Sequence, residues 1–332
     1  MGTNDMVSSE WPGEDTLRKC TAIILSNGDT SELPEGMLKD VAIIGDLKSL
    51  KILSFSSSEI EKLPAEIGDK WDWSREYKTP RMLKFKLNTG IFLEDGFISQ
   101  FNGIEYLFLD RLKKVLQNKQ KLLTDEIRSN EVVLEDELDT PMALLDGKAV
   151  FSNLEDIIIS HMDNLEMIWQ DQLADNSFCK LKAMTVKHCN NLPTIFPFYM
   201  CGRWSSLEYL SVIDCGSLQE IYELQWLTCE ETHDTTVNQL INLHIRCLPK
   251  LKYVWNKDPK GILSFQNLCA VRVSACQSLK NLFPASIAIS LLQLEELDMY
   301  NCGVEEIVSK EGEAKAVARF VFPRMTVMPF KT

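Results

Sequence analysis

The sequence predicts an α/β repeat solenoid, a curved horseshoe with a parallel β-sheet along its concave face. Three observations predict it. A unit of the form Φ-x-x-L-x-x-L-x-L-x-x-C-x-x-L-x-x-I, with Φ bulky and apolar, recurs along the second half of the chain. The L-x-L centre of that unit alternates, as a short strand with one buried face must. The copies return every 22 to 33 residues or so, the spacing of stacked supersecondary units rather than of separate domains.

The best four copies are FCKLKAMTVKHCNNLPTI, WSSLEYLSVIDCGSLQEI, FQNLCAVRVSACQSLKNL and LLQLEELDMYNCGVEEI, the last one residue short. The first Leu after the bulky lead residue serves as an anchor, at Leu181, Leu207, Leu268 and Leu294. Eight residues beyond each anchor stand Cys189, Cys215, Cys276 and Cys302. Two further copies, anchored at Leu154 and Leu240, keep the apolar positions but carry Met162 and Leu248 at the cysteine place. Earlier turns are looser, with anchors near Cys20, Leu50, Met82 and Ile104, and a final turn begins at Phe322 and Met325. This is the leucine-rich-repeat pattern. Within one strand, Leu210 and Val212 are expected to face the core, and Tyr209, Ser211 and Ile213 to face out. The cysteine column is expected to be a structural one. Its small apolar side chains fill the core where the chain leaves the strand, each with a weak S–H donor for a nearby carbonyl.

Four segments follow from where the pattern holds. Residues 1–16 form an N-terminal tail and 17–112 a set of irregular N-terminal repeats. Residues 113–148 form an acidic non-repeat excursion, expected to be partly helical or mobile, and 149–332 carry the Cys-type repeats, the last one truncated. The stretch CEETHDTTV reads as a smaller exposed insertion.

Composition limits the function classes. The chain has 35 basic and 48 acidic side chains, a net charge of −13 and a pI near 4.9, which repels phosphate backbones and argues against nucleic acid as a partner. No apolar run is long enough for a membrane span. The opening residues lack the basic start and apolar core of a secretory signal, and no Asn-x-Ser/Thr acceptor occurs. The ten cysteines include no C-x-x-C pair. A cytoplasmic, reducing setting with free thiols is therefore expected.

No catalytic constellation stands out, so the expectation is a binding protein without a cofactor and not an enzyme. The excursion lacks a His or Cys for base or nucleophile work. His161, His188 and Asp214 share one offset in three successive repeats. A metal site there is disfavoured, because parallel side chains one rung apart are expected to diverge, whereas ligands must converge to ~2.1 Å. The concave face is instead expected to bind protein. Its N-terminal part presents Tyr106 and Phe108, followed by His161, Lys187 and His188. The middle presents Tyr209, Ser211 and Asp214, then His244 and Arg246, and the far end Arg272, Asp298 and Tyr300. Aromatics with Arg and scattered charge suit a protein-binding patch.

Longer strings carry a resemblance. EWPGEDTLRKCTAIILSNGDTSELPEG resembles the entry to the leucine-rich region of plant intracellular immune receptors of the coiled-coil, nucleotide-binding, leucine-rich-repeat class (NLR disease resistance proteins). LKSLKILSFSSSEIEKLPAEIG resembles their early repeats, and LPKLKYVWNKDPKGILSFQNLCAVRVSACQSLKNLFPASIA their late Cys-type repeats. The phosphate loop G-x-x-x-x-G-K-[ST] and the other switch motifs of that class do not occur in this sequence. His161-Met162-Asp163 lies at a strand exit and is not the switch tripeptide. The resemblance implies the recognition half of such a receptor, without its coiled-coil and nucleotide-binding portions. It also implies a role in plant defence, with two kinds of protein partner: a pathogen effector or guarded host protein, and the nucleotide-binding switch that the domain holds inactive. A second reading is a substrate adaptor of a ubiquitin ligase, since Cys-type leucine-rich repeats occur there too. That role needs a helical recruiting box, for which the tail before Leu17 is too short.

Overall fold

In the computed structural model the described residues are 22–26, 52–56, 82–86, 104–110, 143–145, 151–169, 173–224, 235–309, 322–324 and 330–331. A main parallel sheet takes one strand from each repeat, of five residues in all but the last, two-residue strand. The strands are β1 (Ala22–Ser26), β2 (Ile52–Ser56), β3 (Met82–Lys86), β4 (Tyr106–Asp110), β5 (Asp156–Ser160) and β6 (Ala183–Lys187). Between β7 (Thr194–Phe196) and β9 (Glu220–Tyr222), which belong to a second ladder, comes β8 (Tyr209–Ile213). After β10 (Thr236–Val237) the main sheet takes β11 (Asn242–Arg246), and after β12 (Tyr253–Trp255) and β13 (Leu263–Ser264) it takes β14 (Ala270–Ser274). The series ends with β15 (Asn281–Phe283), β16 (Glu296–Tyr300), β17 (Glu306–Val308) and β18 (Phe330–Lys331). The main sheet is 11-stranded, in the order β1-β2-β3-β4-β5-β6-β8-β11-β14-β16-β18, so every strand between the two ends pairs with those of the repeats before and after it.

Register is the same at every step. Leu210 lies opposite Met184 and Leu243, and Val212 opposite Val186 and Ile245. These inward columns are buried, with Leu210 and Val212 both at 0% exposure. The anchors Leu154, Leu181, Leu207, Leu240, Leu268 and Leu294 are buried behind them. The residue after each anchor continues the ladder: the N–H of Lys182 donates to the carbonyl of Glu155, Glu208 to Lys182, Ile241 to Glu208, and Cys269 to Ile241, each at 2.8 Å.

Among the described residues, the return segments are built mainly from turns and short strands, with few helices. A parallel ladder β7-β9-β12, the pair β15–β17 and the pair β10–β13 form the far walls. Helix α1 (Ala285–Ser290) is one turn and a half long. The residue before it, Pro284, has no side chain to cap it; instead Asp258, from the preceding repeat, accepts from the Ser286 N–H at 3.3 Å and from the Ser286 hydroxyl. Bulky lead residues meet one another and the aromatics of the second ladder between the walls. The Phe151 and Phe178 rings lie 5.4 Å apart, Trp204 and Tyr222 4.7 Å, and Trp255 and Phe265 5.2 Å.

Three details differ from the sequence reading. Strand β3 begins at Met82 and pairs Leu83 with Leu53 and Leu107, which puts the anchor place two residues earlier, at Pro80. A shift of two keeps the inside–outside parity of a strand, so alternation cannot discriminate the two registers. Leu144 and Leu145, inside the expected acidic excursion, are buried, and Leu145 bridges to Trp169. They are apolar, and the core recruits them; residues 113–142 and 146–148 of that excursion lie outside the described residues. The last cysteine of the column, Cys302, is only partly buried, whereas Cys189, Cys215 and Cys276 are fully enclosed. The shortened repeat brings Gly303 so close to the Gln277 carbonyl that a Cβ there would sit 2.0 Å from its oxygen.

Truncating Leu210 to Ala should leave a cavity in this wall and cost ~2–5 kcal/mol. Chemical denaturation of the full chain should show a lowered midpoint, and an unchanged midpoint would refute the register.

Candidate functional site

A parallel sheet usually has both faces covered. Here the return segments cover one face, and most alternate side chains of the other remain partly or fully exposed from β4 to β16, Asp110, Ser160, Ser211 and Ala270 being buried. That open face holds the residues singled out from the sequence, in three columns at the first, third and fifth strand positions.

A fourth column follows the strands. The residue after each main strand from β5 to β16 has a positive φ: His161 at 52°, His188 at 53°, Asp214 at 52°, Cys247 at 54°, Ala275 at 54° and Asn301 at 48°. This left-handed step turns the chain inward, so the next side chain, the cysteine in Cys-type repeats, points into the core. The N–H at the step donates to the next rung: His161 to the Lys187 carbonyl, His188 to Ile213 and Asp214 to Arg246, all at 3.0 Å. His, Asp and Asn tolerate this conformation better than most residues. Backbone geometry therefore accounts for the shared offset of His161, His188 and Asp214.

Their side chains do not diverge as expected. The His161 and His188 rings stack at 4.3 Å between centroids, 18° from parallel. The His161 Nδ1 donates to Asp110 at 2.8 Å, and the Ser160 hydroxyl lies 2.7 Å from the same nitrogen. Asp110 and Ser160 are buried at 4% and 1% exposure, so Asp110 is not part of the solvent face. The His188 Nδ1 lies 3.8 Å from an Asp214 carboxylate oxygen. The arrangement runs Asp110–His161–His188–Asp214 across four rungs. Rings stacked face to face direct their nitrogens edgewise, and no group of three or more metal-ligating side chains gathers among the described residues.

At the N-terminal part, Tyr106 and Phe108 are half-buried. Burial raises the Asp156 carboxyl, and burial with Asp156 beside it raises the Tyr106 phenol. Lys187 is half-buried beside this end of the sheet. In the middle, Tyr209 is exposed but Ser211 is buried at 2%. Ser211 is small and flanked in register by Thr185 and His244, and its hydroxyl lies 3.5 Å from the His244 Nδ1, so its neighbours cover it. Burial, then Arg272 and Arg246, push the His244 imidazole below the ordinary histidine range. Arg246, Arg272 and Tyr300 are exposed, and Asp298 is half-buried. Arg272 grips Glu296 with two bonds, Nε to Oε1 and a terminal nitrogen to Oε2, both 2.7 Å. No alternation rule signals that pairing, because it joins the third position of one strand to the first position of the next.

The cysteine column faces away from this surface. Cys189, Cys215 and Cys276 donate to the carbonyls of Lys187, Ile213 and Ser274 at 3.4, 3.4 and 3.3 Å. Burial pushes the Cys276 thiol up to about 12, and the Cys215 thiol together with burial pushes Cys189 upward.

Residues 153–303 match the family described as plant disease resistance protein RPS2-like, leucine-rich repeats. The matched span runs from the β5 repeat to the step after β16 and includes most of the open face. No curated protein matches the chain. Among the described residues, no helix is long and apolar enough to cross a membrane.

Two outcomes check this geometry. Folding disfavours the protonated His244 imidazole, so its contribution to stability is full above the ordinary histidine value of ~6.5 and is lost as pH falls through its own lowered value. Replacing Arg272 with Gln removes one cause, and the His244 titration followed by NMR should move upward; an unmoved titration refutes the electrostatic account. Separately, an aromatic disulfide reagent should modify the exposed Cys179 in the native protein and leave Cys189, Cys215 and Cys276 untouched until denaturant is added.

Proposed function

We propose that this chain is the recognition region of a plant intracellular immune receptor, acting in the cytoplasm. Its open sheet face binds a pathogen effector or a host protein that effectors alter. The observation that carries the reading is the match of residues 153–303 to the repeats of plant disease resistance proteins, coinciding with a sheet face left uncovered over the same span.

The mechanism is binding on a rigid frame. Each rung is held by its neighbours' backbone, so side chains on the open face can differ from one rung to the next without disturbing the leucines behind them. The second surface of the proposal is an autoinhibitory contact with a nucleotide-binding switch. For an effector to release that contact, it must bind the released form more tightly than the inhibited one. A difference of about a hundredfold corresponds to ~2.7 kcal/mol of coupling, within the usual range for linked sites. No chemical step is required of the chain.

The test replaces Tyr209 with Ala and both Arg246 and Arg272 with Glu in the full chain, then compares capture from infected and uninfected leaf extract by quantitative mass spectrometry. The triple variant should keep the parent circular dichroism spectrum and lose a specifically captured protein by about tenfold or more. Equal capture by parent and variant would refute the assignment of this face.

A further inference from the structure

The chain carries a net charge of −13, yet one part of the open face is locally basic. On β11, His244 and Arg246 occupy alternate positions and so point out of the same face, ~7 Å apart along the strand. The neighbouring carboxylates are engaged elsewhere. Asp214, after β8, gives its N–H to the Arg246 carbonyl and turns its carboxylate toward His188, 3.8 Å away. Glu296, on β16, is held by both bonds from Arg272. Asp298 lies in register with Arg272 and not with β11. Among the described residues, no carboxylate pairs with the exposed Arg246 guanidinium.

We propose that Arg246 and His244 form a docking point for a carboxylate on an acidic segment of the protein partner. The inference rests on the recognition reading above and gives it a partner chemistry. An exposed, unpaired guanidinium beside an imidazole supplies N–H donors to one carboxylate. Tyr209, on β8, adds an exposed aromatic surface for the adjoining peptide.

The same site makes docking pH-dependent. His244 faces Ser211 from β8, Arg272 from β14 and Arg246 on its own strand, and the positive neighbours oppose its protonation. An incoming carboxylate offsets them. Binding therefore takes up a proton, and affinity rises as pH falls through the histidine range.

The probe is a fluorescein-labelled peptide of alternating glutamate and alanine, titrated with the full chain and followed by anisotropy. Peptides with glutamine or lysine in place of glutamate serve as controls. The glutamate peptide should bind more tightly at about pH 6 than at about pH 8. Arg246→Gln should weaken it about tenfold, equivalent to ~1.4 kcal/mol. His244→Gln should remove the pH preference, and Lys252→Gln, next to β12 on the second ladder, should bind like the parent. Equal binding of the glutamate and glutamine peptides, or parent-like binding by Arg246→Gln, overturns the proposal. So does binding of a phosphoserine peptide where the glutamate peptide fails. If the glutamate peptide is not bound but the triple variant still loses its captured protein, the carboxylate docking point falls and the recognition reading stands. If the peptide is bound and capture is unaffected, the docking chemistry stands and the assignment of the partner to this face falls.

Discussion

The structure depends on each repeat burying its inward leucines against the repeats on either side. A single five-residue strand with one apolar face has nowhere to put that face. Stacked in identical register, the same residues form columns such as Met184–Leu210–Leu243 and Val186–Val212–Ile245, and the cost of ordering each rung is offset by apolar burial shared with two neighbours. Everything else must keep that register. The backbone ladder through Glu155, Lys182, Glu208, Ile241 and Cys269 runs beside the columns without interruption, although the spacing between anchors varies. Variation in repeat length is absorbed on the far side, where, among the described residues, turns, short strands and short helices such as α1 take up the slack.

The left-handed step after each strand is the second requirement, and it carries an energetic cost. A non-glycine residue at positive φ gives up on the order of 1–2 kcal/mol. Six described positions accept that cost at the same point in the repeat. Five of them, from His161 to Ala275, gain a hydrogen bond to the next rung and the inward turn that buries a cysteine, methionine or leucine at the following position. This explains a pattern that invites a chemical reading. Two histidines and an aspartate at one offset look like a ligand set, but the offset is the place where the backbone favours His, Asp and Asn.

On the proposed reading, function belongs to what the frame leaves free. Asp110, Ser160 and Ser211 are on the open face by sequence position yet are covered by their neighbours. Arg272 is exposed but already paired, His161 hydrogen-bonds the Asp110 carboxylate, and the His188 Nδ1 lies 3.8 Å from that of Asp214. Tyr209, Arg246 and Tyr300 are the large side chains whose groups remain open to a partner. The open face is shaped as much by internal pairing, which removes charge from it, as by the residues it displays.

The sequence by itself determined the repeat, its register over the Cys-type turns and the inward fate of Leu210, Val212, Cys189 and Cys215, because alternation and spacing are local properties written within one unit. It also marked the open face as the surface to examine. Tertiary structure alone decided which face residues are available: the burial of Ser211 and Asp110, the stacking of His161 on His188, the grip of Arg272 on Glu296 and the isolation of Arg246. It also settled the anchor place before β3, which a two-residue slip leaves equally patterned. The physical reason is the same in each case. These outcomes depend on side chains that face one another across rungs, and such neighbours lie more than twenty residues apart in the chain. Their meeting is set by stacking and rotamer, which no pattern within a single repeat encodes.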